Sequence, residues 1–130
     1  MSKYLVLNKQ ALQNKQRGAS MIVTFLLIAM VLLILIVAMK VVPAYSEHMN
    51  IVRVLKAMGE EPLSSMSKQE IKESFSKRSS INDITAVSKD DLDIAQNDSG
   101  KTVVSVEYQA VRPVMANVSV LIDFKASSAD

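Results

Sequence analysis

The 130-residue chain contains no cysteine. That absence excludes disulfides, thiolate zinc sites, iron–sulfur clusters and cysteine nucleophiles together. Acidic residues are missing from the whole first third: the first of them is Glu47. Residues 1 to 20 carry only basic charge, at Lys3, Lys9, Lys15 and Arg17, and no residue from Gly18 to Met39 is charged. The formal net charge of +2 therefore conceals a basic head, an uncharged middle and a mildly acidic remainder. A polyanion-binding domain needs its basic excess on the folded part, and here that part is slightly acidic, so no nucleic-acid partner is expected. The length leaves room for one small domain.

What the chain does contain is one long apolar run. Between Met21 and Met39 only Thr24 is strongly polar. As a helix this run is about 30 Å long, enough to cross a bilayer core. Leu, Ile, Val, Met and Phe surround the whole cylinder, and so short a chain has no soluble core large enough to hide it. The expectation is a transmembrane helix over residues 20–42, with the lipid bilayer as its first partner. A cleaved export signal fits less well. Its apolar core would be shorter, and Ala38-Met39-Lys40 before Val41-Val42-Pro43 is a poor cleavage site. Arg17-Gly18-Ala19 is similar to the junction at which type IV pilin leaders are cut. Yet the fifth residue beyond Gly18 is Val23, where pilins carry glutamate. A pilin-like structural subunit processed after Gly18 stands as the alternative. The basic segment, residues 1–19, is expected to stay in the cytoplasm under the positive-inside rule. Lys40 opposes this singly, and its stem can snorkel. Residues 43–125 then form a periplasmic domain, with residues 126–130 a disordered tail.

Apolar spacing continues beyond the run at Val42, Tyr45, Met49, Val52 and Leu55. Steps of three and four predict one helix reaching about Met58, with Gly59 as its stop and Pro43 as a kink. Ser67 and Glu70 have the spacing of a capping box. They predict a short helix from Lys68 to Arg78, with Ile71 and Phe75 on one face. The period then falls to two, first around Leu92 and Ile94. Turn formers occupy residues 96–101, with Gly100 suited to a left-handed position. Val104, Val106, Tyr108 and Ala110 share one face of a second strand that Pro113 ends or places at an edge. Val118, Val120, Ile122 and Phe124 share one face of a third. The predicted fold class is α+β: a three-stranded antiparallel sheet whose apolar face needs a cover. Ile71 and Phe75 from the short helix, with Val52 and Leu55 from the long one, can supply it.

Several residues invite chemical readings. Ser65 and Lys68 fit Ser-x-x-Lys, in which a desolvated lysine activates a serine. The stretch is polar and offers no further triad member, so capping explains Ser67 better than a hydrolase explains its neighbours. His48, the single histidine, lies beside Glu47 just past the apolar run, and an interfacial polar contact explains it better than a proton relay. Asp90, Asp91 and Asp93 lack the glycine and distal glutamate of an EF-hand loop. Ser20 and Thr24 form a small-xxx-small pair able to seat another helix. The stripe Tyr45, Met49 and Val52 packs by default on the chain's own sheet, and it is also the surface best placed to meet a partner. No catalytic, cofactor-binding or metal-binding residue is assigned.

The order of these features resembles a known family. It combines a Gln-Arg-Gly start, an apolar span, Lys-Val-Val-Pro-Ala-Tyr at 40–45, a capped helix ending in Lys-Arg, and Tyr-Gln-Ala-Val-Arg-Pro-Val at 108–114 ahead of Asn117-Val118. The same order characterises the proteobacterial domain of unknown function 4845, and the likeness covers roughly residues 16 to 125. The resemblance implies a small single-span inner-membrane protein and carries over no catalytic residue; with no catalytic group found along the chain, a non-enzymatic accessory role without a cofactor is expected. Genes of such proteins often neighbour that of signal peptidase I. The implied partner is therefore a membrane protein of the export system, with a homo-oligomer as the other association.

Overall fold

The computed structural model describes residues 2–129, with side chains from Ser20 onward. The basic side chains and the Gly18 junction lie outside the described side chains. The chain divides into two units, Met1–Ala38 and Met39–Asp130. Helix α1, Ser2–Gly59, contributes to both. Its part within the first unit holds the apolar run. Every residue from Ser20 to Ile36 is exposed, and by length and composition the helix can cross a membrane.

The second unit is α+β, as the periodicities predict. The last turns of α1 are followed by helix α2, Lys68–Ile81, and then by strands β1, Asp93–Gln96, β2, Thr102–Met115, and β3, Val118–Ser127. The sheet is antiparallel throughout, in the order β1-β2-β3. Val104, Val106 and Ala110 of β2 and Phe124 and Ala126 of β3 are buried, and their outward neighbours are not. Against that face α1 lays Ile51, Val54, Leu55 and Met58, and α2 lays Ile71 and Phe75. Burying side chains of this size contributes about 1.5–3 kcal/mol each, which explains how so small a sheet holds together.

Local signals set the element ends. Ser67 Oγ accepts from the Glu70 amide at 3.2 Å while Glu70 Oε2 accepts from the Ser67 amide at 2.7 Å, completing the predicted box. That exchange holds the Glu70 carboxyl below its usual range, the backbone hydrogen bond from Ser67 being the main cause. The helix outlasts its predicted end at Arg78 by three residues. Ser79 and Ser80, which read as helix breakers, return their hydroxyls to the carbonyls of Phe75 and Ser76. Its stop is a left-handed Asp83, φ 51°, with the Ile84 amide donating back to Ser79 O. Gly100 takes the left-handed conformation expected of it, φ 77°.

One expectation is corrected and two are sharpened. Pro113 does not end β2, which runs to Met115, so of its two expected places the edge is the one it takes. Residues 102–105 of β2 pair with β1 and the strand from Ser105 onward pairs with β3, so Pro113 lies where β2 is bonded to β3 alone and its missing N–H breaks no central ladder. The register slips between Pro113 and Met115, a bulge that absorbs Val114. The chain past 125 is not a free tail either. Ala126 is buried opposite Val106. The Ser128 amide donates to Val104 O at 2.8 Å, and its hydroxyl accepts from the Val104 amide at 3.0 Å. Finally, α1 ends at Gly59 as expected, and the glycine also serves a close approach. A Cβ there would stand 2.5 Å from the carbonyl oxygen of Ser128. The glycine lets the end of β3 close against the helix.

Gly59→Ala should therefore destabilise the domain by about 1–3 kcal/mol, the usual cost of overpacking. Thermal unfolding of the full chain in detergent reads the loss. Hydrogen exchange should show the Val104 and Ser128 amides losing protection first.

Candidate functional site

The most heavily functionalised region is the junction between the α1 turns carrying Ala44–His48 and the far half of the β2–β3 hairpin. Helical spacing puts Ala44, His48, Ile51, Leu55 and Met58 on one inward stripe. Ala44 is small enough to let the hairpin approach, and it packs with Ala110 and Phe124 in a satellite cluster. Period two brings Tyr108, Ala110 and Arg112 to the same side of β2.

Phe124 is the hub. The His48 ring stacks on it at 4.4 Å between centroids and 18° between planes. Tyr45 meets it edge-on at 5.1 Å and 87°, and Tyr108 lies at 5.4 Å. His48 Nδ1 and the Tyr108 hydroxyl form a hydrogen bond of 3.2 Å. Burial lowers the His48 pKa, and burial with the nearby Glu47 charge pushes the Tyr108 phenol up to about 12. Both rings are therefore neutral at pH 7, and the neutral pair forms the bond at least cost.

Glu47 projects to one side of this stack and ties down the loop after α2. Its Oε1 accepts from the Thr85 amide at 2.6 Å, the Thr85 hydroxyl at 3.0 Å and the Ala86 amide at 2.8 Å. Its Oε2 lies 3.6 Å from a guanidinium nitrogen of Arg112. Desolvation raises the carboxyl pKa, but the three hydrogen bonds and the Arg112 charge outweigh it, and the net shift is downward. Arg112 Nε is buried without a partner. One carboxylate thus clamps helix, loop and hairpin.

The sequence-predicted residues fare unevenly. Tyr45 joins the stack while remaining half exposed, Val52 packs at the edge of the main core, and Met49 stays exposed. Thr24 spends its hydroxyl on Ser20 O at 2.8 Å, within its own helix. His48 makes its polar contact inside the domain, with Tyr108. Ser65 donates to Pro62 O, and Lys68 is exposed at the start of α2. Asp90 pairs with Lys72, Asp91 caps Ser88, and Asp93 is paired to Ser105 in β1, so the three aspartates serve separate local roles. Sequence reasoning missed the clamp of Glu47, Thr85 and Arg112 and the role of Phe124. The signal was available in part: Glu47 and His48 fall on the helical turn between Ala44 and Ile51, facing the domain. The site has the character of a structural lock, with aromatic faces and a carboxylate holding three segments.

A model of the family described as "Domain of unknown function (DUF4845)" matches residues 40–124. That span holds all three segments of the lock. No curated protein and no solved structure matches the chain.

Acid should loosen this lock in two stages. His48 has a folded pKa below its ordinary 6.5. Its neutral form thus stabilises the fold above that value, and the contribution is lost as pH falls below it. Glu47 has a folded pKa below its ordinary 4.5. Its contribution is present above that value and disappears as pH falls through the lowered one. Melting temperature followed from pH 8 to pH 3 should show both losses. His48→Gln should flatten the first and leave the second.

Proposed function

The chain belongs to the DUF4845 family, and from that premise we propose that it is a non-enzymatic, single-pass accessory protein of the bacterial inner membrane. In this reading residues 1–19 are cytoplasmic and residues 20–42 cross the bilayer. The α+β domain faces the periplasm and engages a membrane protein, with signal peptidase I as the first candidate from the export system. The observation that carries the reading is the run from Ser20 to Ile36, exposed at every residue and uncharged. Such a surface is far more stable among lipid tails than in water. The polar groups of the domain support a binding role over catalysis. Glu47 is saturated by three donors, and His48 and Tyr108 are engaged with each other. The partner-facing surface is the exposed shoulder of α1 at Tyr45 and Met49, 52% and 56% accessible.

A photo-crosslinking residue placed at Tyr45 or Met49 should capture a second membrane protein in native membranes. The same residue at Lys77, on the exposed side of α2, should not. Recovery of monomer alone from the first two positions would count against the reading, and capture of only a second copy would replace it with a homo-oligomer.

A further inference from the structure

The tip of the β2–β3 hairpin carries an apolar surface that neither the core nor the lock uses. Val111, Met115, Val118 and Leu121 are 55%, 57%, 64% and 54% accessible. They form two cross-strand pairs, Val111 with Leu121 and, on the opposite face nearer the turn, Met115 with Val118, so the tip is apolar on both sides. Charge stops short of them. Glu107 opposes Lys125, and Gln109 opposes Asp123. From Ala110 to Ile122 the sequence has no acidic residue and one base, Arg112, which is held by Glu47. The hairpin therefore passes from a charged base to an uncharged, apolar tip.

The direction in which it points can be read within the second unit. Gly59 lies against Ser128, which bonds Val104. His48 bonds Tyr108, and Ala44 packs with Ala110. β2 thus runs back along α1, toward the end of the unit at which the apolar run joins it. Beyond the contact of Ala44 with Ala110, β2 continues for five residues, about 16 Å of strand.

We propose that this tip is a second membrane contact, seated in the headgroup–acyl boundary of the same bilayer that the apolar run crosses; the inference rests on the membrane reading above. Aliphatic and thioether side chains on an uncharged tip suit lipid. A protein hot spot favours tryptophan, tyrosine or free arginine, and the tip presents none. The depth is limited by the backbone. Past Ser105 the hairpin is hydrogen-bonded as a two-stranded ladder. Open strand edges are not tolerated in hydrocarbon, whereas the hydrated boundary satisfies them. The contact gives a one-helix protein a second attachment, fixing the domain against rotation about its anchor.

The absence of cysteine makes the test direct. Met115→Cys, Val118→Cys, Ser99→Cys and Leu27→Cys are each labelled with an environment-sensitive fluorophore. Each full-length chain is then reconstituted singly in nanodiscs, with or without lipids spin-labelled near the headgroup or deep in the acyl chain. The expected result is roughly twofold quenching at 115 and 118 by the shallow quencher. Leu27 should be quenched by the deep one, and Ser99, in the turn at the other end of β2, by neither. Quenching at Leu27 with 115 and 118 as bright as Ser99 would overturn the hairpin contact alone and leave a protein partner for the tip. Absence of quenching at Leu27 would overturn the membrane reading itself.

Discussion

A three-stranded sheet with one apolar face has nothing of its own to cover it, and that constraint organises this domain. β1 is four residues long and β3 ten, too little area for the sheet to fold back on itself as a sandwich. The cover must come from helix, and α1 supplies most of it through Ile51, Val54, Leu55 and Met58, with α2 closing the side through Ile71 and Phe75. The helix that continues from the apolar run is therefore a structural layer of the domain. Any change that removes the last turns of α1 exposes Val104, Val106 and Phe124 together. The Gly59 contact with Ser128 belongs to the same constraint, because the layers close only if the helix end carries no side chain there.

The core is unevenly thick, and this explains why the polar lock sits where it does. Near β1, two helices and three strands surround large aliphatic side chains. Farther along the hairpin, only the turns of α1 around Ala44 remain to cover two strands. A second aliphatic layer cannot be completed there, and aromatic rings with polar tips take its place: His48, Tyr108 and Tyr45 about Phe124. Such rings bury area while keeping a hydrogen bond available. The Glu47 carboxylate then contributes what packing cannot. It binds the loop of Thr85 and Ala86 by charge-assisted hydrogen bonds in a half-buried setting. The ion pair of Lys125 with Glu107, on the exposed face, is solvated and adds little by comparison.

Much of this architecture was legible in the sequence because it rests on period and punctuation. The change from steps of three and four to steps of two located helix and sheet, the Ser67–Glu70 spacing located a helix start, and Gly100 marked a turn. The stripe on α1 was legible only by half. Tyr45, Met49 and Val52 are the large apolar residues past Pro43, so they read as the inward face. The true inward face is rotated by about one residue, through Ala44, His48 and Ile51. Hydrophobicity alone could not find it, because alanine and histidine carry little apolar weight and the reason for their burial lies in a strand some sixty residues away. The same limit hid the clamp, since Glu47, Thr85 and Arg112 are joined by tertiary geometry and no local spacing encodes them. The ordered end of β3 was missed because "ASS" is polar and small, which in an isolated stretch means a tail. Here smallness is what lets Ala126 and Ser128 lie against Val106, Val104 and Gly59.

These features converge on a division of labour along the hairpin. At its base, Glu107, Asp123 and Lys125 face water, and the inward residues belong to the main core. At its middle, the aromatic stack and the Glu47 clamp fix it to α1. A hairpin held this firmly at mid-length is a rigid lever whose tip is positioned by the helix. Pro43, one residue before Ala44, removes the amide that would bond back to Met39, just ahead of that attachment point. The bulge at Val114 and the left-handed Ala116, φ 45°, concentrate irregular backbone at the tip. Bulges at a strand end commonly serve to re-aim side chains. A domain held together only by its core would have no need to keep exposed aliphatic pairs beyond the contact of Ala44 with Ala110. A domain that must present a defined edge to a surface would.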